Sequence, residues 1–166
     1  MSLSAQALAD FRGRAWPAVR ISPGEPFHRI QIDHRWILDW YQLRTSGIAI
    51  FGPSPGEVVP PISQTEFVQA VREQLPDWPE RVKRNPSAGR LAYAVVTVCR
   101  AFRACKTGEY VSKGEAARWA AGELPEFRGV IEDAGEWRYK AGRSTRKPPG
   151  PDEARLLSEA VLRLCS

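Results

Sequence analysis

The sequence has few of the residues and none of the motifs with which enzymes commonly do chemistry. It contains two histidines, His28 and His34, and three cysteines, Cys99, Cys105 and Cys165, none in a CxxC spacing. This pattern argues against a zinc site, and we interpret Cys99 and Cys105 as buried, reduced thiols. Serine-hydrolase, P-loop, zinc-protease and dinucleotide-binding motifs are absent, and so is any DxD pair. We therefore assign neither a catalytic nor a metal-binding residue to this chain.

Long apolar runs are also missing. No stretch approaches the ~18 residues that a membrane helix needs. Residues 1–10 lack the basic start and the apolar centre of a signal peptide. Cytoplasmic location without a membrane partner is therefore the default expectation. The composition, with 43% hydrophobic and 26% charged residues, is typical of a globular protein with a core.

Basic residues exceed acidic residues by 24 to 19, a net charge of +5. Such a charge permits an anionic partner, which includes a nucleotide, a nucleic acid or an acidic protein. The basic residues are spread along the chain, apart from one run at Lys140–Lys147. Nucleic-acid binding would depend on this run alone, and it ranks last among the functions considered.

The first 62 residues predict a small α/β segment. Ala5–Trp16 suits a helix, Phe27–Ile32 alternates like a half-buried strand, and Ile48–Phe51 suits a second short strand. Between the strands, Asp33 is placed to cap a helix that ends at Gly47. Because two small strands are too few for an independent sheet, this segment looks like the edge of a sheet completed from elsewhere.

The remainder predicts helices joined by short loops. Ser63–Glu66 and Ser112–Glu115 match capping boxes that begin helices. Apolar residues recur at helical spacing over Leu91–Cys105, which is the clearest helix, and Thr107–Gly108 ends it. The same reasoning places further helices after Leu124 and after Asp152.

The predicted fold class is mainly α. We expect a helical bundle of about five helices over residues 63–166, preceded by the α/β remnant of residues 1–62. Residues 77–88 are polar and contain proline, so we predict a loop there.

Two cations interrupt the apolar helical region. Arg100 lies off the apolar stripe of its helix, where it is a solvated arginine, a carboxylate partner or a clamp on a phosphate. Lys113 lies in a first helical turn, where free N–H groups and the dipole favour an anion and oppose a lysine. On the residues alone, the solvated-surface interpretation is favoured for both. Four aromatic residues are expected near these cations: Tyr93, Trp119, Trp137 and Tyr139. They are either core residues, which is favoured for Trp119, or, where exposed, residues that could stack on a purine.

A series of short segments also carries a family resemblance: Ile32–Leu43, Gly47–Pro53, Pro60–Phe67, Leu75–Trp78 (LPDW), Tyr93–Arg100 (YAVVTVCR), Thr107–Gly108, Ser112–Ala120 (SKGEAARWA) and Leu124–Pro125. Together they resemble the C-terminal part of streptomycin/spectinomycin-type aminoglycoside adenylyltransferases, a nucleotidyltransferase family. The combination of the arginine with the TG and SK segments at these spacings is fairly specific.

The resemblance implies roles for three residues. In this family an N-terminal domain binds Mg²⁺ through a G-S…D-x-D motif and supplies a glutamate base, and the helical domain closes over ATP and drug. By position, Arg100 matches an arginine near the active site and Lys113 matches a lysine that contacts ATP phosphates. Tyr139 matches a tyrosine beside the nucleotide, across one gap. These three are the candidate nucleotide-binding residues.

The sequence also departs from the family pattern. The D-x-D motif and the base are absent, and Arg90 stands near the place of an acidic drug-binding residue. We therefore expect a nucleotide- and substrate-binding portion, inactive alone, that works with a missing catalytic domain or partner chain. ATP and Mg²⁺ would be its cofactors, with the metal ligands outside this chain, and an aminoglycoside-like molecule is a candidate acceptor. The alternative is a stand-alone, non-enzymatic helical module that binds a protein partner.

Overall fold

The computed structural model describes residues 12–13, 15–20, 26–84, 86–139 and 146–166. Its contacts divide the chain into two compact units, Met1–Ala70 and Val71–Ser166. Helices dominate and a single pair of strands is described, so the predicted mainly α fold is confirmed. The family-based domain boundary between residues 62 and 63 stays a prediction.

The described elements are two strands and a series of helices. In chain order they are β1 (Trp16–Arg20), β2 (His28–Ile32), α1 (Ile37–Ser46), α2 (Pro55–Val58), α3 (Gln64–Gln74), α4 (Trp78–Arg84), α5 (Ala88–Thr107), α6 (Lys113–Glu123), α7 (Arg128–Tyr139) and α8 (Pro151–Cys165). Single 3₁₀ turns precede α1, α4 and α7 at His34–Trp36, Leu75–Asp77 and Pro125–Phe127. None of these helices is both long and apolar enough to cross a membrane.

The first unit has a small core between a two-stranded ribbon and α1. The strands pair antiparallel, with Trp16 opposite Ile32, which confirms the predicted strand in Phe27–Ile32. Trp40 of α1 is 2% exposed in this core, and the ring of Phe67 stacks on Tyr41 with 4.3 Å between centroids. The buried apolar residues are Ala18, Ile32, Ile37, Trp40, Val59, Ile62 and Ala70.

One predicted element of the first unit is wrong, and another lies mostly outside the residues that the structure describes. Ile48–Phe51 forms no strand, and Ile50 and Phe51 are each 99% exposed. The run has strand propensity, but a strand also needs a partner for its backbone groups, and the described residues provide none beside it. The predicted helix Ala5–Trp16 lies mostly outside the described residues. Its last residue, Trp16, begins β1, and Pro17 is exposed in this edge strand, where proline is tolerated.

The predicted caps of three helices are confirmed. The Asp33 carboxylate accepts a hydrogen bond from the Arg35 N–H at 3.0 Å and caps the turn that leads into α1. At the end of α1, a Cβ on Gly47 would lie 2.3 Å from the Leu43 carbonyl oxygen, so the close approach requires glycine. Gly108 ends α5 in the left-handed region at φ 72° and donates to Ala104 at 2.8 Å.

The capping box at the start of α3 is present in both directions. The Ser63 N–H donates to Glu66 at 2.9 Å, and the Glu66 N–H donates to the Ser63 hydroxyl at 3.2 Å. The Arg12 guanidinium, 2.7 Å from the Glu66 carboxylate, acts with Ser63 to lower the pKa of Glu66 to about 2. At α6, the Ser112 hydroxyl accepts from the Glu115 N–H at 3.2 Å, while the Glu115 carboxylate lies 3.4 Å from Arg103.

The second unit is built around α5. Helices α6, α7 and α8 all pack against it, and the predicted apolar stripe is buried, with Leu91, Val95, Val98 and Phe102 at most 3% exposed. The stripe is wider than predicted, because Ala92, Val96 and Cys99 on neighbouring faces are fully buried as well. A helix covered on most sides in this way forms the centre of a domain core.

The predicted loop over residues 77–88 is wrong, because α4 occupies Trp78–Arg84. Val82 is 3% exposed and anchors this helix in the second unit, where α4 contacts α8. Pro79 lies in the first turn, where the missing N–H costs no hydrogen bond. One buried apolar residue in seven creates no visible periodicity, which explains why the sequence pattern missed the helix.

The three thiols differ in environment. Cys99 is buried, as predicted, and burial raises its pKa to about 12. Cys105 is only partly buried, which corrects the prediction, because it lies at the end of α5 beside Cys165. A hydrogen bond with the Cys165 thiol, helped by the Arg72 charge, lowers the pKa of Cys105 against the opposing effect of burial.

Two serine N-caps of the second unit provide a matched test of capping. Ser112 and Ser87 have nearly the same extended backbone, but only Ser112 makes a side-chain cap hydrogen bond among the described residues. We expect Ser112→Ala to lower the free energy of unfolding by about 1 kcal/mol and Ser87→Ala to lower it much less. Urea unfolding followed by circular dichroism measures both, and equal losses would contradict the assignment.

Candidate functional site

Three cations from three helices lie close together around Tyr93. The Nζ of Lys113, at the start of α6, lies 4.2 Å from the Tyr93 ring centroid. The Cζ of Arg138, at the end of α7, lies 5.1 Å from the same centroid. Arg100 follows Tyr93 by two helical turns on α5 and therefore lies on the same side of that helix. We call Arg100, Lys113 and Arg138 the cationic cluster.

Arg100 is held in the cluster by Tyr110. Its Nη1 donates to the Tyr110 hydroxyl at 2.9 Å, and its Cζ lies 5.1 Å from the Tyr110 ring centroid. The guanidinium is close enough to lower the pKa of Lys113 by charge repulsion. The structure thus brings the two cations singled out in the sequence to one place. The sequence named Tyr93 as a candidate aromatic beside these cations, but Arg138 and Tyr110 were missed, because only packing places them there.

The surroundings of Lys113 disfavour its positive charge. Burial lowers the pKa of Lys113 most, and the Arg100 and Arg138 charges lower it further, while Tyr93 raises it. Burial raises the pKa of the Tyr93 phenol, but Lys113 and the neighbouring groups outweigh burial and the net shift is downward. Among the described residues, no carboxylate forms an ion pair with any of the three cations.

This arrangement is chemically suited to oxygen anions. Lys113 offers a point charge, Arg100 offers a planar fork, and the first turn of α6 adds free backbone N–H groups. A bound anion would offset the mutual repulsion of the cations and also the unfavourable position of Lys113 in a first helical turn. The described part of the chain contains no group of side chains that could hold a metal ion, counting groups of three or more histidine, cysteine, aspartate or glutamate residues.

Tyr139 lies beside the cluster. A Cβ built on Gly114 would lie 3.4 Å from the Tyr139 ring, so this ring packs against Gly114, the residue after Lys113. Tyr139 is 60% exposed, which leaves much of its surface open. The ring borders a cleft of about 330 Å³ between α6 and α7, whose walls include Gly114, Ala117, Arg118, Ala121, Ile131, Glu132, Gly135, Glu136, Tyr139 and Arg146.

Tyr93 also lines a second cleft. It has a volume of about 300 Å³ and is formed by α4 and the first half of α5. We call it the arginine cleft, after three of its lining residues, Arg81, Arg84 and Arg90; Trp78, Val82, Tyr93 and Ala94 complete the lining. Sequence reasoning missed Arg81 and Arg84 as site residues because it treated their segment as a loop. Their spacing of three from each other and from Trp78 was the available signal.

The residues of the candidate site lie in a part of the chain that matches a known protein family. Residues 57–161 match the aminoglycoside adenylyltransferase C-terminal domain. The chain belongs to this family. The family resemblance noted in the sequence is thereby confirmed, and every residue of the cationic cluster, together with Tyr93 and Tyr139, lies within the matched range.

Curated relatives are similar to this chain at moderate identity. Spectinomycin 9-adenylyltransferase from Staphylococcus aureus is 28% identical over 99 residues, which cover 60% of this chain and 36% of that protein. Aminoglycoside (3'') (9) adenylyltransferases from Klebsiella pneumoniae and Escherichia coli are 30% identical over 100 residues, 56% of this chain and 35% of theirs. The chain therefore spans little more than a third of the length of these relatives.

The proximity of Arg100 to Lys113 can be tested through titration. Because the Arg100 charge contributes to the lowered pKa of Lys113, we expect Arg100→Gln to raise that pKa. NMR of the Lys113 side chain across alkaline pH measures the shift. Arg163→Gln removes an exposed arginine on α8 and should leave the pKa of Lys113 unchanged. An identical pKa in Arg100→Gln and the wild type would show that the two cations do not interact.

Proposed function

We propose that this chain is the nucleotide- and substrate-binding portion of an aminoglycoside-adenylyltransferase-like nucleotidyltransferase. In this proposal Arg100, Lys113 and Tyr139 bind ATP. The observation that carries it is the partly buried cationic cluster, whose three charges have no carboxylate partner among the described residues. Family membership supports the choice of a nucleotide over other anions.

The geometry supports a different role in ATP binding for each of Arg100, Lys113 and Tyr139. Lys113 and the first N–H groups of α6 would bind phosphate oxygens, and Arg100, oriented by Tyr110, would donate to a second pair of oxygens. Tyr139 lies beside Gly114 with an exposed ring and could stack on the adenine base. Arg138, with its Cζ 5.1 Å from the Tyr93 ring centroid, would add a further positive charge.

Arg100, Lys113 and Tyr139 would bind ATP and would not take part in making or breaking its bonds. In adenylyl transfer, an acceptor hydroxyl oxygen bonds to the α-phosphorus of ATP, and the bond from this phosphorus to pyrophosphate breaks. Mg²⁺ supplies charge stabilisation when it is bound. The cationic cluster does not fit a Mg²⁺ site, because this ion takes oxygen ligands, so the metal-binding carboxylates and the base would belong to a nucleotidyltransferase domain outside this chain. Use of ATP agrees with the expected cytoplasmic location.

Removing the Lys113 charge tests the nucleotide role directly. We expect Lys113→Ala to weaken ATP binding by about 1–3 kcal/mol, the usual range for a charge-assisted contact. Isothermal titration calorimetry with ATP measures the change. Lys106→Ala, which removes an exposed lysine at the end of α5, is the matched control and should bind ATP like the wild type. An unchanged affinity in Lys113→Ala would remove this residue from the site.

A second candidate function is favoured by the exposed apolar run of the first unit. Ile48, Ile50 and Phe51 are 88%, 99% and 99% exposed, and adjacent apolar side chains at such exposure are typical of a surface that another protein covers. In this alternative the chain is a helical module that binds a protein partner.

Sedimentation velocity distinguishes this alternative. We expect the partner-binding module to form a complex with a co-purified protein, and Phe51→Ser to weaken that complex, because the substitution removes apolar area from the surface. A monomeric chain without a co-purifying protein would contradict the alternative.

A further inference from the structure

The arginine cleft carries more positive charge than its neighbours balance. Arg81 pairs with Asp77 at 3.0 Å and lies with its Cζ 5.3 Å from the Trp78 ring centroid. Arg84 and Arg90 have no ion pair among the described residues. Glu80, whose pKa the Arg84 charge helps to lower, is paired with Lys83 at 2.6 Å. Two guanidinium groups of this cleft therefore remain available to an anion.

The cleft also has an aromatic wall. The Trp78 and Tyr93 rings lie 6.3 Å apart with 43° between their planes, and both line the cleft. Trp78 is half-buried, so its orientation is set by packing rather than by solvent. A small ligand could contact these aromatic side chains while its charged group meets the guanidinium groups.

The cleft and the cationic cluster are neighbours on one helix. Arg90, Tyr93, Thr97 and Arg100 recur at a spacing of three or four residues, which places them along one side of α5. The other sides of α5 are largely buried. A nucleotide in the cationic cluster and a ligand in the arginine cleft would therefore lie side by side, with Tyr93 between them.

The arginine cleft and the aminoglycosides after which the relatives are named both carry positive charge. Aminoglycosides carry several ammonium groups, and such groups would meet Arg84 and Arg90 at close range without a facing carboxylate. Like charges at this distance repel, whereas a guanidinium and a phosphate or carboxylate form paired, charge-assisted hydrogen bonds. The available groups of the cleft thus favour a ligand of the opposite charge.

We propose that the arginine cleft binds an anionic small molecule through its phosphate or carboxylate group, with Arg84 and Arg90 as the specificity-determining residues. The identification of this molecule as the acceptor of adenylyl transfer depends on the proposed function. Anion binding by the cleft does not depend on it, since it follows from the charges and the lining alone.

Calorimetry with four sugar probes of different charge tests the proposal on the full chain. Glucose 6-phosphate and glucuronate carry the two anionic groups, glucose is the neutral control, and spectinomycin is the cationic probe. We expect one or both anions to bind at least tenfold more tightly than glucose and spectinomycin, and their ranking distinguishes phosphate from carboxylate. Spectinomycin binding tighter than both anions, or no binding of either anion, would overturn the proposal.

Charge reversal locates the binding. We expect the double variant Arg84→Glu, Arg90→Glu to lose at least tenfold in affinity for the anion while ATP affinity changes less than threefold. Arg163→Glu, which makes the same change at an exposed position of α8, should affect neither ligand. Circular dichroism confirms that the variants are folded. Unchanged anion affinity in the double variant would place the anion elsewhere and refute the assignment.

The two proposals fail in different ways. If Lys113→Ala loses ATP binding and retains anion binding, both sites are supported and are separate. If the wild type binds the anionic sugar through Arg84 and Arg90 but does not bind ATP, the proposed function fails and the anion cleft stands. If ATP binds normally and neither anionic sugar binds, only the cleft proposal is refuted.

Discussion

The burial of α5 is the constraint on which the second unit depends. Helices α6, α7 and α8 each cover part of it, and residues such as Ala92, Val96 and Cys99 have no exposed surface. One side of the helix carries a row of polar groups out of the core, at Arg90, Tyr93, Thr97 and Arg100. Because a helix cannot rotate within such packing, this side has a defined orientation. The apolar core therefore decides where the polar side chains of α5 lie.

Grouping, rather than lack of an ion pair, distinguishes the cationic cluster from other basic residues of the second unit. Some arginines there are paired with acids: Arg103 contacts Glu109 and Glu115, Arg146 contacts Asp133 and Glu136, and Arg155 contacts Glu159. Such surface pairs contribute little to stability. Others, such as Arg118 and Arg163, form no ion pair among the described residues. In the cationic cluster, packing holds Lys113 and Arg138 at one tyrosine ring, and a local excess of one charge is typical of ligand binding.

Elements with a long or strictly local sequence pattern could be predicted, and elements without one could not. Helix α5 repeats its apolar spacing over several turns, and the caps at Asp33, Ser63 and Gly108 depend on adjacent residues, so all could be predicted. Helix α4 has one apolar anchor, Val82, and α4 is stabilised by packing in the second unit that no local pattern expresses. The opposite error occurred at Ile48–Phe51, where local propensity was strong but no described strand pairs with the run. Strand β1 was missed because its pairing with β2 depends on residues eight to sixteen positions away.

The sequence by itself determined the family and the mainly α class, and it singled out Arg100 and Lys113 as candidates, because these inferences depend on residue types at fixed spacing. Tertiary structure alone decided that the two cations meet, that Arg138 joins them at the Tyr93 ring, and that Arg81 and Arg84 line a cleft with Arg90. Arg100 and Lys113 are separated by the turn between α5 and α6, and Arg138 comes from a third helix. Their distances are set by how helices pack around an apolar core, and no local spacing in the chain encodes that geometry.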